Sequence, residues 1–490
     1  MKRSGSTAGK AVVLERPMPL SSLLGTIANI KEDLMKNRFM LSLLVLASLL
    51  FLSPFAWSNQ AYDKDTFTMA LTGDSIITRK LSVYNEPSFL KMIDLIRSAD
   101  VAFTNLEVLF HDYEPYPMHQ SGGTYMRAEP VMAKELAWAG FDMVSRANNH
   151  TGDYGVEGMR LTTKYTEAAG LVHAGIGESL PEAREAKFLE TAKARVALIS
   201  CSSTYPDHIR AGKTRGDIPA RPGLNPIRYS TTYVLTREKF ETLRWILREI
   251  GMLVPEKGDS LRIFRNRFMV GDKTDVLTEL NKEDLEEITS VVRNASGLAD
   301  YTIVTIHAHE SDKNRSKPAK FIVSFARAMI DAGADVFVGH GPHVVRGIEI
   351  YKGKPIFYSL ANFLFQNETL LRLPHENYER YGLGPGAHVA DFNDVRYGKD
   401  RRGFPATPEY WESVIASPAW KGKELLAVTL YPISLGFGKP RSVRGRPLLA
   451  GPELSKKIIE DLKRLSEPFG TTIDFKDGMG IVRIPKRKTK

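Results

Sequence analysis

The chain has 490 residues and one cysteine, Cys201. That excludes an intramolecular disulfide and any zinc–thiolate cluster. Cys201 follows the run Val196–Ser200, so a buried thiol at a strand end is expected. A charged body is lacking too. The formal net charge is +10, but residues 1–38 carry seven Lys/Arg against three Asp/Glu. Residues 483–490 add Arg483, Lys486, Arg487, Lys488 and Lys490. The remainder is close to neutral, so the basic balance does not argue for nucleic acid as a partner. The sequence shows no internal repeat and no low-complexity block.

What is present suits a folded protein. Hydrophobic residues make up 43% and charged residues 25%, enough for one large domain or two ordinary ones. From Phe39 to Gln60 there is no charge, and Met40–Leu52 is almost wholly apolar behind Lys36 and Arg38. This is the layout of a signal peptide, with Ala56-Trp57-Ser58 offering a cleavage site after Ser58. The competing reading is an uncleaved anchor, since Phe39–Trp57 approaches the roughly 20 residues needed to span a bilayer. Residues 1–58 are therefore set apart from a body at 66–485. Either reading predicts an exported body, periplasmic or on the outer face of the cytoplasmic membrane.

The body alternates short apolar strands with helices, which predicts an α/β fold. Strands are expected at Phe67–Thr72, Val101–Thr104, Asp142–Ser145, Arg195–Ser200, Tyr301–Ile306, Asp335–Val338 and Leu425–Ile433. Helices are expected at Pro87–Ala99, Val131–Trp138, Val156–Ala169 and Pro452–Leu465. Residues 203–299 interrupt this rhythm as an insertion, with a long loop first and a more helical part after it. Residues 366–423 read as a second polar, Gly/Pro-rich stretch.

Polar groups follow the strands, where open α/β sheets place ligands. These are Gly73-Asp74, then Asn105-Leu106-Glu107, then Ala147-Asn148-Asn149-His150. His307, His309 and Glu310 come next, and then Gly339-His340-Gly341-Pro342-His343. Carboxylate, carboxamide and imidazole together are donors for Zn, Mn or Fe. A divalent metal here could polarise a phosphoryl oxygen and activate water, and a neighbouring histidine could protonate the leaving oxygen. Arg346, just past the last cluster, is placed to grip a carboxylate or phosphate.

The same motifs, with Asp153-Tyr154-Gly155, Ala332-Gly333-Ala334-Asp335 and Lys354–Phe363, resemble the CapA family of capsule (poly-γ-glutamate) synthesis proteins. The resemblance implies a four-layer α/β sandwich related to calcineurin-like metallophosphoesterases. It implies Asp74, Glu107, Asn149, His307, His340 and His343 as ligands for one or two metal ions. It makes His150 the acid, with Asn149 binding the metal or a phosphoryl oxygen. Asn148 and Asn362 in these motifs join Arg346 as expected substrate-binding groups. Active metallophosphoesterases usually carry histidine where Ile76 stands, and many CapA proteins have histidine at Gly341 and glycine at Ala361. Two functions follow. One is a metal-dependent hydrolase acting on a phosphoester or polymer bond. The other is a non-catalytic accessory protein that binds an anionic polymer, alongside membrane-bound synthase or export proteins.

Overall fold

The computed structural model describes residues 63–264 and 266–485. The charge-free segment Phe39–Gln60 and the basic end 486–490 lie outside these residues. Among the described residues no helix is long and apolar enough to cross a membrane.

The fold is mixed α/β with several sheets. The largest has ten strands, and four of them run parallel in the order Thr66–Ile76, Val101–Leu106, Met143–Ser145, Val172–Ala174. On the other side of Thr66–Ile76 the sheet continues antiparallel through Glu412–Lys421, Glu424–Ser434, Met479–Val482 and Ile473–Lys476. The short strand Asn362–Phe365 also pairs with the end of Thr66–Ile76. A six-stranded sheet has a parallel centre of Arg195–Ser202, Tyr301–His307, Val336–His340 and Lys354–Phe357.

The two sheets share one core. Met69, Leu71, Phe103 and Met143 of the larger sheet belong to the same buried cluster as Leu198, Ile303, Val338 and Phe357 of the smaller. Side chains alternate across a strand, so the intervening residues of the smaller sheet face the opposite way. There Ile199, Val304, Ile306 and Phe337 pack with Ile288 and Val292 of the helix Lys282–Ser296. They also meet Phe321, Phe325 and Met329 of the helix Lys320–Ala332. Cys201 is buried in this cluster, as expected of a strand-end thiol.

Two segments differ from expectation. Within 203–299, the part read as more helical does hold the helices Arg237–Glu249 and Lys282–Ser296, but the segment also forms a separate four-stranded sheet. It is built from Ser260–Ile263, Asn266–Val270, Tyr229–Leu235 and Asp275–Leu280, with the helix Arg237–Glu249. These strands are mostly half-buried, so charged residues interrupt their apolar positions and mask the period of two. Within the polar stretch 366–423, Glu412–Lys421 is an inner strand of the ten-stranded sheet. Ser413, Ser417 and Pro418 hide it in the sequence, yet the first of these is buried and hydrogen-bonded to the Leu360 carbonyl.

Candidate metal centre

The site grows out of the inter-sheet core by simple alternation. Phe103 faces inward, and the next residue of the same parity is Asn105. Met143 is followed by Ser145, Ile303 by Thr305 and His307, and Val338 by His340. At their carboxyl ends the parallel strands of both sheets thus replace apolar side chains with polar ones, over the same gap.

Asp74 has the wrong parity to follow Leu71. A one-residue bulge corrects this. Leu71 pairs with Phe103, while Asp74 pairs with Asn105. The bulge needs Gly73, because a Cβ there would lie 1.8 Å from the Ala361 carbonyl oxygen. That same oxygen accepts the Asp74 amide at 2.8 Å. Asp74 is fully buried, and its carboxylate accepts from Asn105 Nδ2 at 2.8 Å and from the Gly341 amide at 2.9 Å. Gly341 has φ +111°, and a Cβ there would press on Ala308 N, His309 and His307 Nε2. In this chain the position therefore excludes the histidine that the resemblance suggests.

Three imidazoles face Asp74. Its oxygens lie 3.7 Å from His307 Nδ1, 3.5 Å from His340 Nδ1 and 3.4 Å from His343 Nδ1. His340 is oriented from behind. Its Nε2 lies 2.6 Å from the Thr305 hydroxyl and 3.2 Å from that of Ser145. Asn362 Oδ1 does the same for His343 Nδ1, at 2.8 Å.

Two groups of donors could each hold an ion: Asp74 with His307 and His340, and Glu107 with His309 and His343. They adjoin, since His307 Nε2 of the first lies 3.0 Å from His309 Nε2 of the second. Glu107 is the most telling member. It is fully buried, and neither carboxylate oxygen has a hydrogen-bond partner. Burial first, and then the charge of Asp74, push its carboxyl well above the usual range. An unpartnered buried carboxylate is costly, and a cation would satisfy it. Burial holds His307, His309 and His340 neutral, lowering His340 to about 4 and His309 to about 3. Neutral imidazole is the metal-binding form. The donor set therefore fits a divalent metal.

His150 stands at the edge of this centre. Its Nδ1 lies 2.7 Å from Asp153 Oδ2. Asp153 also accepts the Gly122 and Met126 amides, so the imidazole rests on a fixed carboxylate. Asn149 donates to the Gly122 carbonyl through Nδ2, while its buried Oδ1 has no partner.

Several expected roles change. Asn148 ties the loop, donating to the Leu106 carbonyl and accepting the His150 amide, so its amide is spent on backbone. Asn362 is committed to His343 and the Tyr410 carbonyl. Arg346, expected to grip an anion, is 1% exposed and donates to the carbonyls of Arg315, Ala308, His309 and Glu310. Its guanidinium shapes the loop after the histidines. Ile76, where the phosphoesterase pattern has histidine, is buried at the strand end. His309 lay outside the implied ligand set, although its spacing of two from His307 was a usable signal. Asp153, three residues after His150, lacked an assigned role.

Comparison with known proteins adds four facts. The profile of the family described as bacterial capsule synthesis protein PGA_cap matches residues 68–367. Two uncharacterized proteins of Sinorhizobium fredii are each 39% identical over 436 residues, covering 86% of this chain and 94% of theirs. The capsule biosynthesis protein CapA of Bacillus anthracis is 26% identical over 310 residues, 62% of this chain and 61% of that protein. A probable polyglutamine synthesis accessory protein of Mycobacterium tuberculosis is 24% identical over 228 residues, 46% of this chain and 45% of that protein.

Proposed function

The chain belongs to the PGA_cap family of bacterial capsule synthesis proteins, and from that premise we propose that it serves the synthesis or export of an anionic envelope polymer as a metal-dependent hydrolase. The polymer is of the poly-γ-glutamate type, and the bond cut is a phosphoester or a bond of the polymer itself. The observation that carries this reading is the pair of adjoining carboxylate–imidazole groups, with both Glu107 oxygens buried and unpartnered. In the same reading the two sheets and their flanking helices form the four-layer sandwich of calcineurin-like metallophosphoesterases, and the charge-free segment behind Lys36 and Arg38 directs the body outside the cytoplasm.

Asp74, His307 and His340 would hold one divalent transition metal, and Glu107, His309 and His343 a second. Bound there, metal supplies Lewis acidity toward a phosphoryl oxygen and activates water. The chain's own residues do the rest. Asp153 accepts the Nδ1 proton of His150 and fixes the ring, so that Nε2 can deliver a proton to the leaving oxygen. Asn149 keeps its Oδ1 free for the metal or for a hydroxyl of the substrate. Burial around Asp74 and Glu107 excludes competing water.

Purified residues 59–490, prepared without chelator, test this. Elemental analysis should find near-stoichiometric transition metal that Asp74→Ala loses. Hydrolysis of a generic phosphodiester should fall by about 10²–10⁴ in His150→Ala, the usual worth of a positioned general acid. No metal and no turnover after Mn or Zn is supplied would refute the phosphoesterase.

A non-catalytic accessory role is favoured by one specific observation. The position where active enzymes of this type usually carry histidine is Ile76, which is buried. Metal binding with no turnover on any anionic polymer would select that role.

A further inference from the structure

The arginine that sequence position suggested for anion binding, Arg346, is buried and spends four of its five donors on backbone carbonyls. One of its bonds, however, runs from Nε to the carbonyl of another arginine, Arg315, at 3.0 Å. Arg315 lies on a tight loop. The Asp312 amide bonds the Lys317 carbonyl, the Lys317 amide bonds the Asn314 carbonyl, and Ser311 bridges Pro318. The loop is thus closed at its base and pinned beneath Arg315 by a buried guanidinium.

The Arg315 side chain turns toward the centre. Its Nη1 reaches the carbonyl of Pro342, between Gly341 and His343, at 3.4 Å. Its Cζ sits 5.4 Å over the ring of Tyr410. Tyr410 lies 4.7 Å from Phe404, which lies 5.7 Å from His343. The positive charge of Arg315 is also felt at His309. Unlike the arginines held by Asp284, Glu349 or Glu368, Arg315 has no carboxylate within ion-pair distance among the described residues. An exposed guanidinium, pre-set on a rigid loop and stacked on an aromatic ring, keeps most of its donors free for an oxyanion.

We infer that Arg315, positioned by Arg346 and stacked on Tyr410, is the residue that contacts an anionic oxygen of the substrate beside the Glu107–His309–His343 group. This rests on the reading of the centre as a site for an anionic substrate and names the group that selects for it. The anion is a phosphoryl group or a carboxylate of the polymer, since a guanidinium pairs with either.

The test uses residues 59–490 loaded with Mn, with inorganic phosphate and glutarate as probes in calorimetry. Arg315→Gln should weaken binding of at least one probe about tenfold, while bound Mn and the melting temperature stay at the wild-type values. Arg315→Lys should recover part of the loss, because charge returns without the two-pronged geometry. Loss confined to phosphate assigns a phosphoryl group, and loss confined to glutarate assigns a carboxylate. If a phosphodiester is turned over, Arg315→Gln should raise KM with kcat little changed. Unaltered affinity for both probes in Arg315→Gln overturns the inference, as does a wild-type protein that binds neither. The two readings fail separately. Probe binding through Arg315 without turnover removes the hydrolase and keeps the contact. Turnover with an unmoved KM does the reverse.

Discussion

Two ends of one inter-sheet gap make the most informative comparison in this molecule. At one end Phe103, Met143, Leu198, Ile303 and Val338 interlock in a shared apolar core. At the next inward position of each strand stand Asn105, Ser145, Ser200, Thr305 and His340, all buried. Among these five strands the backbone, the register and the degree of burial are continuous across the change, and the one register shift is the bulge that brings in Asp74 from the neighbouring strand. Only the side chains differ. The apolar end gains from leaving water, and the polar end pays for it, because its carboxylates and imidazoles are desolvated with incomplete partners. Stability and chemistry thus occupy adjacent layers of the same strands.

The largest effect separating the two ends should come from Phe103→Ala. It removes a fully buried ring from the shared core and should cost about 3–5 kcal/mol. Urea unfolding would show the loss, and the metal content of the folded fraction should be unchanged. A loss of metal in protein that is still folded would mean that the layers are mechanically coupled.

Acid should act on the opposite end. His340 is held at about 4 by burial, against an ordinary 6.5. The unfolded chain takes up that proton from pH 6.5 downward, while the folded chain resists until about 4. The stability linked to His340 is therefore full above pH 6.5 and is lost as pH falls toward 4. It amounts to about 3 kcal/mol. His309, lowered to about 3 by burial and its neighbours, extends the loss further down. Chelator-treated protein followed by urea unfolding between pH 7 and 4 should show this decline. A flat profile would mean that these imidazoles are not held neutral.

The apolar runs made most central strands legible in the sequence, and polar clusters after them marked where the site would be. Three features were beyond it. The bulge at Thr72-Gly73 shifts Asp74 into the inward stripe, and a register shift leaves no periodic signal. Arg346 binds backbone carbonyls more than 30 residues away, so nothing local distinguishes it from a ligand-binding arginine. The strand Glu412–Lys421 carries serines and a proline, and its burial comes from neighbours on both sides. Propensity cannot foresee such tertiary cover. The candidate ligand residues were easier to find because each belongs to a polar cluster that an apolar strand would not otherwise end in.

The smallest effect should be opposite in sign, and it bears most directly on why the polar end exists. Glu107 is buried with both oxygens unpartnered, and its carboxyl is pushed strongly upward by burial and by Asp74. In the absence of metal this residue is a liability. Glu107→Leu keeps much of the volume and removes the unsatisfied oxygens, so chelator-treated protein should gain about 1–3 kcal/mol in urea unfolding. With Mn or Zn supplied, the order should reverse, since the wild type gains binding energy that the variant cannot recover in full. Elemental analysis should then show less metal in the variant, with the Asp74–His307–His340 group still loaded. A variant less stable than the wild type in chelator would show that Glu107 supports the fold by itself. The layer of polar residues would then be structural rather than the place where stability is given up for a cation.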